Sequence, residues 1–186
     1  VFFPETFSRP SFLDNHDMNR FLWVAQNDKR KLRLAALCQY TLAGAPIIYY
    51  GTEIAASQER DMIQNGRAIH EEGRLPMTWD ASRQDHNLYA FYQGLAQLRH
   101  NHPALRRGTR QTIHADKTTL VYRRADSSGS LVIALNVSAN PVTLALSIPE
   151  STNRYATSPD CHVESMAGEV KIHLPGFGGM ILEQEN

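Results

Sequence analysis

Ser11-Phe12-Leu13-Asp14-Asn15-His16-Asp17 and, one helix length later, Gly44-Ala45-Pro46-Ile47-Ile48-Tyr49-Tyr50-Gly51 are the stretches on which the fold turns. Ser11 to Asp14 reads as a short strand running into a polar knot, Asn15-His16-Asp17. Asp28 suits an N-cap, and Lys29 to Leu42 follow as a helix with Leu32, Ala35, Ala36 and Tyr40 on one face. Gly44 and Pro46 end that helix. Ile47 to Tyr50 is then a β-rich run closed by Gly51. It lacks polar alternation, as expected of a strand buried on both faces.

Working outward, residues 52 to 84 show no clear period. A segment this long is usually functional or disordered. Leu88, Phe91, Tyr92, Leu95 and Leu98 then mark one face of a second helix, stopped by Pro103. Past that point the chain changes character. Short strands are expected at Thr118 to Arg124, Leu131 to Val137, Val142 to Ile148, Arg154 to Thr157, Val170 to Leu174 and Met180 to Glu183. The turn cluster Asp126 to Gly129 and the breaker Asn140-Pro141 separate some of them. Such spacing reads as an antiparallel β-sandwich that buries its own inner faces and stands by itself. The fold class is therefore α/β plus all-β, with units at 1–107 and 108–186.

Two parallel strands and two helices cannot cover both faces of their own sheet. Two readings stay open on periodicity alone. One is a small α/β domain with extra strands within 52–84. The other is the last quarter of a (β/α)8 barrel whose remaining strands lie upstream.

Composition narrows the partners. Of 186 residues, 42% are hydrophobic, which allows a real core and argues against disorder. Nineteen basic and nineteen acidic residues balance to a formal net charge of zero. That removes the electrostatic case for nucleic acid or an anionic membrane and favours neutral or polar substrates. No apolar run approaches the ~20 residues of a membrane span. The start, Val1-Phe2-Phe3-Pro4-Glu5, has no basic n-region of a secretory signal, and the compartment stays unknown. Cys38 reads as a small buried apolar residue. Cys161 stands beside His162, but one such pair is no zinc site, because zinc needs three or four ligands, so no metal is expected.

Phe12 to Asp17 resembles the Phe-x-x-Asn-His-Asp motif of the α-amylase superfamily (glycoside hydrolase family 13), which that family carries at the end of its seventh barrel strand. Gly44 to Glu53 resembles the family's Gly-x-Pro-x-x-Tyr-Tyr-Gly-x-Glu motif on the eighth. Arg74-Leu75-Pro76-Met77-Thr78-Trp79-Asp80 is similar to its Arg-x-Pro-Met-x-Trp-Asp loop. Leu95 to Leu105 resembles the last barrel helix and its exit into a C-terminal β-domain. The resemblance thus implies the last two βα units of a (β/α)8 TIM barrel followed by an antiparallel β-sandwich.

It also implies roles. Barrel enzymes build their sites at the C-terminal ends of strands. Retaining glycosidases use one carboxylate as nucleophile and a second carboxyl as acid and base. By resemblance, Asp17 is the third carboxylate, gripping hydroxyls of the sugar at the cleavage point. His16 contacts the same sugar, with Asn15 and Arg20 as further substrate-binding candidates. Strict alternation would put His16 and Asp17 on opposite faces. Both reach one cleft only if the strand ends near Asn15; otherwise Asn15, His16 and Asp17 merely cap a turn. Tyr49, Tyr50 and Gly51 read as packing and a tight turn. Glu53 either lines the cleft or forms an ion pair, and Trp79 either stacks on sugar or packs its loop.

The family's nucleophile Asp and acid/base Glu follow its fourth and fifth strands, ahead of this motif. Residues 1–10 contain neither. Arg83-Gln84-Asp85 matches Arg-x-Asp but lies after the eighth strand and is rejected as the nucleophile. The implied function is part of a glycosidase or transglycosylase acting on α-glucosidic bonds, of starch, maltooligosaccharide or cyclodextrin type, inactive alone. No cofactor is expected here, and calcium belongs, if anywhere, to the full-length parent. The expected partners are an α-glucan substrate and, because strand edges are left open, further copies of the same chain as a homo-oligomer. The alternative is a non-catalytic carbohydrate-binding or structural partner module. Against it, Tyr122, Tyr155 and Phe177 form no aromatic row.

Overall fold

The structure is a computed structural model that describes residues 9–149, 151–166 and 169–184. β1 (Ser11–Phe12) and β2 (Pro46–Ile47) pair in parallel, Ser11 with Pro46 and Phe12 with Ile47. Between them lie α1 (Phe21–Val24) and α2 (Lys29–Thr41). Asp28 caps α2 as expected, its carboxylate accepting from the Arg30 amide at 3.0 Å. Buried Gln39 on α2 clips the two strands together. Its Nε2 donates to the Ser11 carbonyl at 2.8 Å and to the Ile47 carbonyl at 3.1 Å. Gly44 is required where the chain doubles back, because a Cβ there would stand 1.6 Å from the Arg9 carbonyl oxygen.

Both strands are shorter than expected. Ile47 was read as buried on both faces, yet it is 51% exposed and Phe12 is 49% exposed. Among the described residues, each strand has a single hydrogen-bonded neighbour. A ladder with one partner does not extend, and its open side leaves side chains bare.

Residues 52 to 84 are built from 3-10 turns at Thr52–Ile54, His70–Arg74 and Ala81–Arg83, with a small hairpin of β3 (Ile63–Gln64) and β4 (Arg67–Ala68). α3 (His86–Asn101) follows, capped by Asp85, whose carboxylate accepts from the Leu88 amide. Leu88, Tyr92, Leu95 and Leu98 form its buried face. Pro103 opens a further short helix, α4 (Pro103–Arg107).

Eight strands follow among the described residues: β5 (Thr109–Ala115), β6 (Thr119–Asp126), β7 (Gly129–Asn136), β8 (Val142–Leu146), β9 (Ser151–Ala156), β10 (His162–Met166), β11 (Glu169–Leu174) and β12 (Gly179–Gln184). They form a five-stranded sheet, β5-β6-β7-β12-β9, facing a three-stranded one, β10-β11-β8. All paired neighbours within them are antiparallel. Val121, Val132, Ala134, Ile172, Met180 and Leu182 fill the space between the sheets.

The sandwich shares a core with the helices, where the sequence reading has it burying only its own inner faces. The second face of the five-stranded sheet is also apolar. Tyr122, Leu131, Ile133, Leu135 and Ile181 pack there into one core with residues of α2, α3 and α4, including Leu37, Leu88 and Leu105. Two buried arginines sew this seam. Arg99 on α3 donates to the carbonyls of Tyr40, Leu42, Ala43, Gly44 and Leu105. Arg124 on β6, only 1% exposed, donates to those of Ala104, Leu105 and Gly108. The C-terminal ends of α2 and α4 thus meet positive charge, which suits their dipoles and satisfies carbonyls that have no helical partner. Burial lowers both guanidinium pKa values from the ordinary value. Thr41 and Tyr122 add a hydroxyl pair across the same seam at 2.5 Å.

Candidate active site

β1 ends at Phe12, so the backbone is free to turn before Asn15. The Asn15 side-chain oxygen accepts from the Asp17 amide at 2.8 Å. This local turn removes the strict alternation that would have parted His16 from Asp17. His16 Nε2 lies 3.1 Å from one Asp17 oxygen. Arg74 donates through a terminal nitrogen to the other at 3.0 Å, and through Nε to the His16 carbonyl at 2.9 Å. His70 Nδ1 lies 3.8 Å away. Asp17 is thus a carboxylate past the C-terminal end of a parallel strand, held by Arg74 and His16, with His70 nearby. Its side chain is still 58% exposed. It faces outward on an open surface and remains able to accept hydrogen bonds from a polyol.

Beneath it, Asp14 is buried against Arg20. The Asp14 carboxylate takes the Arg20 Nε at 3.2 Å, the Thr52 hydroxyl at 2.7 Å and the Phe21 amide at 3.0 Å. Arg20 also donates to the Tyr50 carbonyl at 2.7 Å, and its guanidinium lies over the rings of Tyr49 and Tyr50. Arg20, expected as a substrate contact, is buried here, with Nη2 and Nε turned to the protein framework. Gln58 and Asn19 extend the network. Gln58 accepts from the Arg20 amide at 2.5 Å and donates to the Asn19 side chain at 2.6 Å, which also accepts from the Met62 amide. The loop after β2 is thereby fastened to the turn after β1. Gly51 makes the tight turn between them at φ 84°, a left-handed conformation that suits glycine.

A cavity of about 610 Å³ is walled by Arg20, Tyr50, Gly73, Met77, Trp79 and Asp80, among others. Asp17 and His16 do not line it. The exposed carboxylate of Asp17, with its Arg74 and His16 contacts, stands outside the cavity. Trp79 is 83% exposed, so it does not pack its loop. Glu53 makes no ion pair among the described residues: its buried Oε2 finds no hydrogen-bond partner. Sequence reading missed Arg74 and His70 as partners of Asp17. Arg74 opens a recognised loop motif, but its contact spans 57 residues and leaves no periodic trace.

Residues 2–84 match the family described as Alpha amylase, catalytic domain. The chain is 42% identical over 136 residues to Alpha-amylase 2 of Dictyoglomus thermophilum, covering 73% of this chain and 24% of that protein. It is 35% identical over 178 residues to Neopullulanase 2 of Thermoactinomyces vulgaris, covering 92% of this chain and 28% of the relative. Among solved structures it resembles a cyclomaltodextrinase with a TM-score of 0.74 at 29% identity, over 92% of this chain and 29% of that one. It also superposes on an α-amylase from H. orenii with a TM-score of 0.73, over 96% of this chain and 40% of the other. At 23% identity that second likeness speaks for the fold alone. The chain spans about a quarter of the length of these curated relatives.

Proposed function

This chain belongs to the α-amylase family, and we propose that it forms the seventh and eighth βα units of that family's catalytic barrel together with the β-domain that follows. In this reading it contributes Asp17 to a glycosidase or transglycosylase acting on α-glucosidic bonds. The nucleophile and the general acid would come from upstream barrel strands. The domain boundary would fall near residue 107, where α4 ends and β5 begins.

The observation that carries the reading is the position of Asp17. It stands just beyond the C-terminal end of a parallel strand, where barrel enzymes place their chemistry, and it is held by His16 and Arg74. The half-exposed Phe12 and Ile47 support a continuing barrel, since such positions are covered in a closed one. Buried Gln39 Oε1 and Glu53 Oε2 find no hydrogen-bond partner among the described residues, and an upstream segment would supply them. The names of the relatives, among them neopullulanase and cyclomaltodextrinase, favour α-glucan substrates.

In catalysis, Asp17 and His16 would hydrogen-bond hydroxyls of the sugar at the cleavage point, and these contacts strengthen as the ring distorts toward an oxocarbenium ion. Arg74 would keep the Asp17 carboxylate aimed. Asn15 shapes the turn. Arg20 holds that turn from below through Asp14. This part of the chemistry calls for no cofactor from the chain. Isolated copies, with strand edges and apolar flanks open, would associate.

The test is Asp17→Asn in a protein extended upstream through a whole barrel. The expected result is a fall in kcat of about a hundredfold or more, with a smaller change in KM, as for a contact made mainly in the transition state. Wild-type kcat in that variant would remove Asp17 from the mechanism.

A further inference from the structure

On the far side of the sandwich from Asp17, β10 and β11 bring three metal-ligating side chains together. His162 stands directly opposite His173 in the antiparallel register, and Glu164 follows two residues after His162. Alternation sends Cys161 and Ile172 into the core, so His162, Glu164 and His173 share the outer face. The two imidazoles stack with centroids 4.2 Å apart and planes 12° from parallel. His173 Nε2 is 3.6 Å from a Glu164 oxygen. One donor atom from each residue lies within 4.8 Å of the others.

Each outer nitrogen has a polar partner. His162 Nδ1 is 3.2 Å from the Asp160 carbonyl oxygen. A carbonyl only accepts, so Nδ1 carries the proton and Nε2 keeps its lone pair. His173 Nδ1 is 2.9 Å from the Thr143 hydroxyl, which can accept in the same way. His173 Nε2 is shielded from solvent and has no hydrogen-bond partner. A ring nitrogen in that state needs an explanation. Here it lies beside a carboxylate at 3.6 Å, with a second imidazole stacked on its ring.

The geometry points to a zinc-binding site formed by His162, Glu164 and His173 across β10 and β11. Two imidazoles and one carboxylate suit zinc and its neighbours among the divalent transition ions, rather than calcium or magnesium, which take oxygen shells. The Asp160 carbonyl and the Thr143 hydroxyl orient the two rings, as outer partners do in built metal sites. Three protein ligands leave a fourth position to water. Tetrahedral zinc with bonds of about 2.1 Å needs donors roughly 3.4 Å apart. Exposed His162 and Glu164 can close that gap by rotamer adjustment. The competing group is Lys171, directly opposite Glu164. A single exposed ion pair contributes too little to hold Glu164 away from a metal. Bound zinc would staple β10, an edge strand, to its neighbour. The sequence reading stopped at the Cys161-His162 pair and met neither Glu164 nor His173 as a partner, because the set assembles only in register.

Titration of the metal-free chain with zinc chloride, followed by calorimetry and by melting temperature, tests the site. One zinc per chain and a raised melting temperature are expected. His162→Ala and His173→Ala should each weaken binding at least about tenfold. A Cys38→Ser, Cys161→Ser double variant should bind as the parent does. If His173→Ala does not fold by circular dichroism, His162→Ala and Glu164→Gln carry the test at exposed positions. Absence of stoichiometric binding, binding that survives the histidine substitutions, or binding lost with the thiols would each overturn the site.

Discussion

Asp17 and Asp14 lie three positions apart and do opposite work. Asp14 is buried and shares its charge with Arg20, Thr52 and the Phe21 amide. Removing one partner of such a pair leaves the other charged and desolvated, at a cost of about 3–5 kcal/mol. Arg20→Met should therefore lower unfolding free energy by that order in denaturant titrations. A loss under about 1 kcal/mol would mean that Asp14 is satisfied without it. Arg74 differs, because both it and Asp17 are largely exposed and their pairing adds little stability. Its effect belongs to orientation. In the barrel-extended protein, Arg74→Ala should lower kcat about tenfold while leaving the melting temperature nearly unchanged. An unchanged kcat would reduce Arg74 to a surface group. The motif from Phe12 to Asp17 was legible as sequence. The arginine that holds it was not, since only the folded loop brings residue 74 to residue 17.

Among the elements, α2 was legible from a 3.6-residue apolar face and the capping Asp28, and α3 from its apolar face alone. Asp28 and Asp85 both accept backbone amides at helix starts, and Asp85 also takes the Lys29 ammonium at 2.6 Å. Those contacts hold both carboxyls below their ordinary value of 3.8, the hydrogen bonds from Arg30 and Lys29 being the largest cause. A carboxyl depressed on folding adds stability above its unfolded pKa and loses it as pH falls through the folded one. Melting temperature should accordingly decline as pH drops below about 4, and the decline should be shallower in Asp85→Asn, which keeps a cap but not the charge. Equal slopes in the two proteins would show that this pair contributes nothing. β5 and β10 escaped the sequence reading for one reason. Both are edge strands rich in exposed polar residues, without the apolar alternation that marks an interior strand. β1 and β2 proved shorter than read, because strand length depends on neighbours that a local pattern does not contain.

For the whole molecule, the boundary near residue 107 divides the secondary structure but not the core. The five-stranded sheet is apolar on both faces, one turned to the smaller sheet and one to the helices. Residues 108–186 expressed alone would bare Tyr122, Leu131, Ile133, Leu135 and Ile181, and should aggregate or stay partly unfolded. A monodisperse, cooperatively melting monomer of that segment would contradict the shared core. Sequence reading divides the chain by a change of period near residue 107. It could not see that β7 carries two apolar faces for two different partners, because a continuous apolar run names no partner. The central claim is that Asp17 works only within a barrel completed upstream. Reducing-sugar release from maltodextrin and cyclodextrin, measured side by side for the 186-residue chain and for a protein extended upstream through a whole barrel, tests it most directly. The account predicts release by the extended protein alone, abolished or nearly so by Asp17→Asn. Release by the 186-residue chain itself, lost on the same substitution, would contradict it.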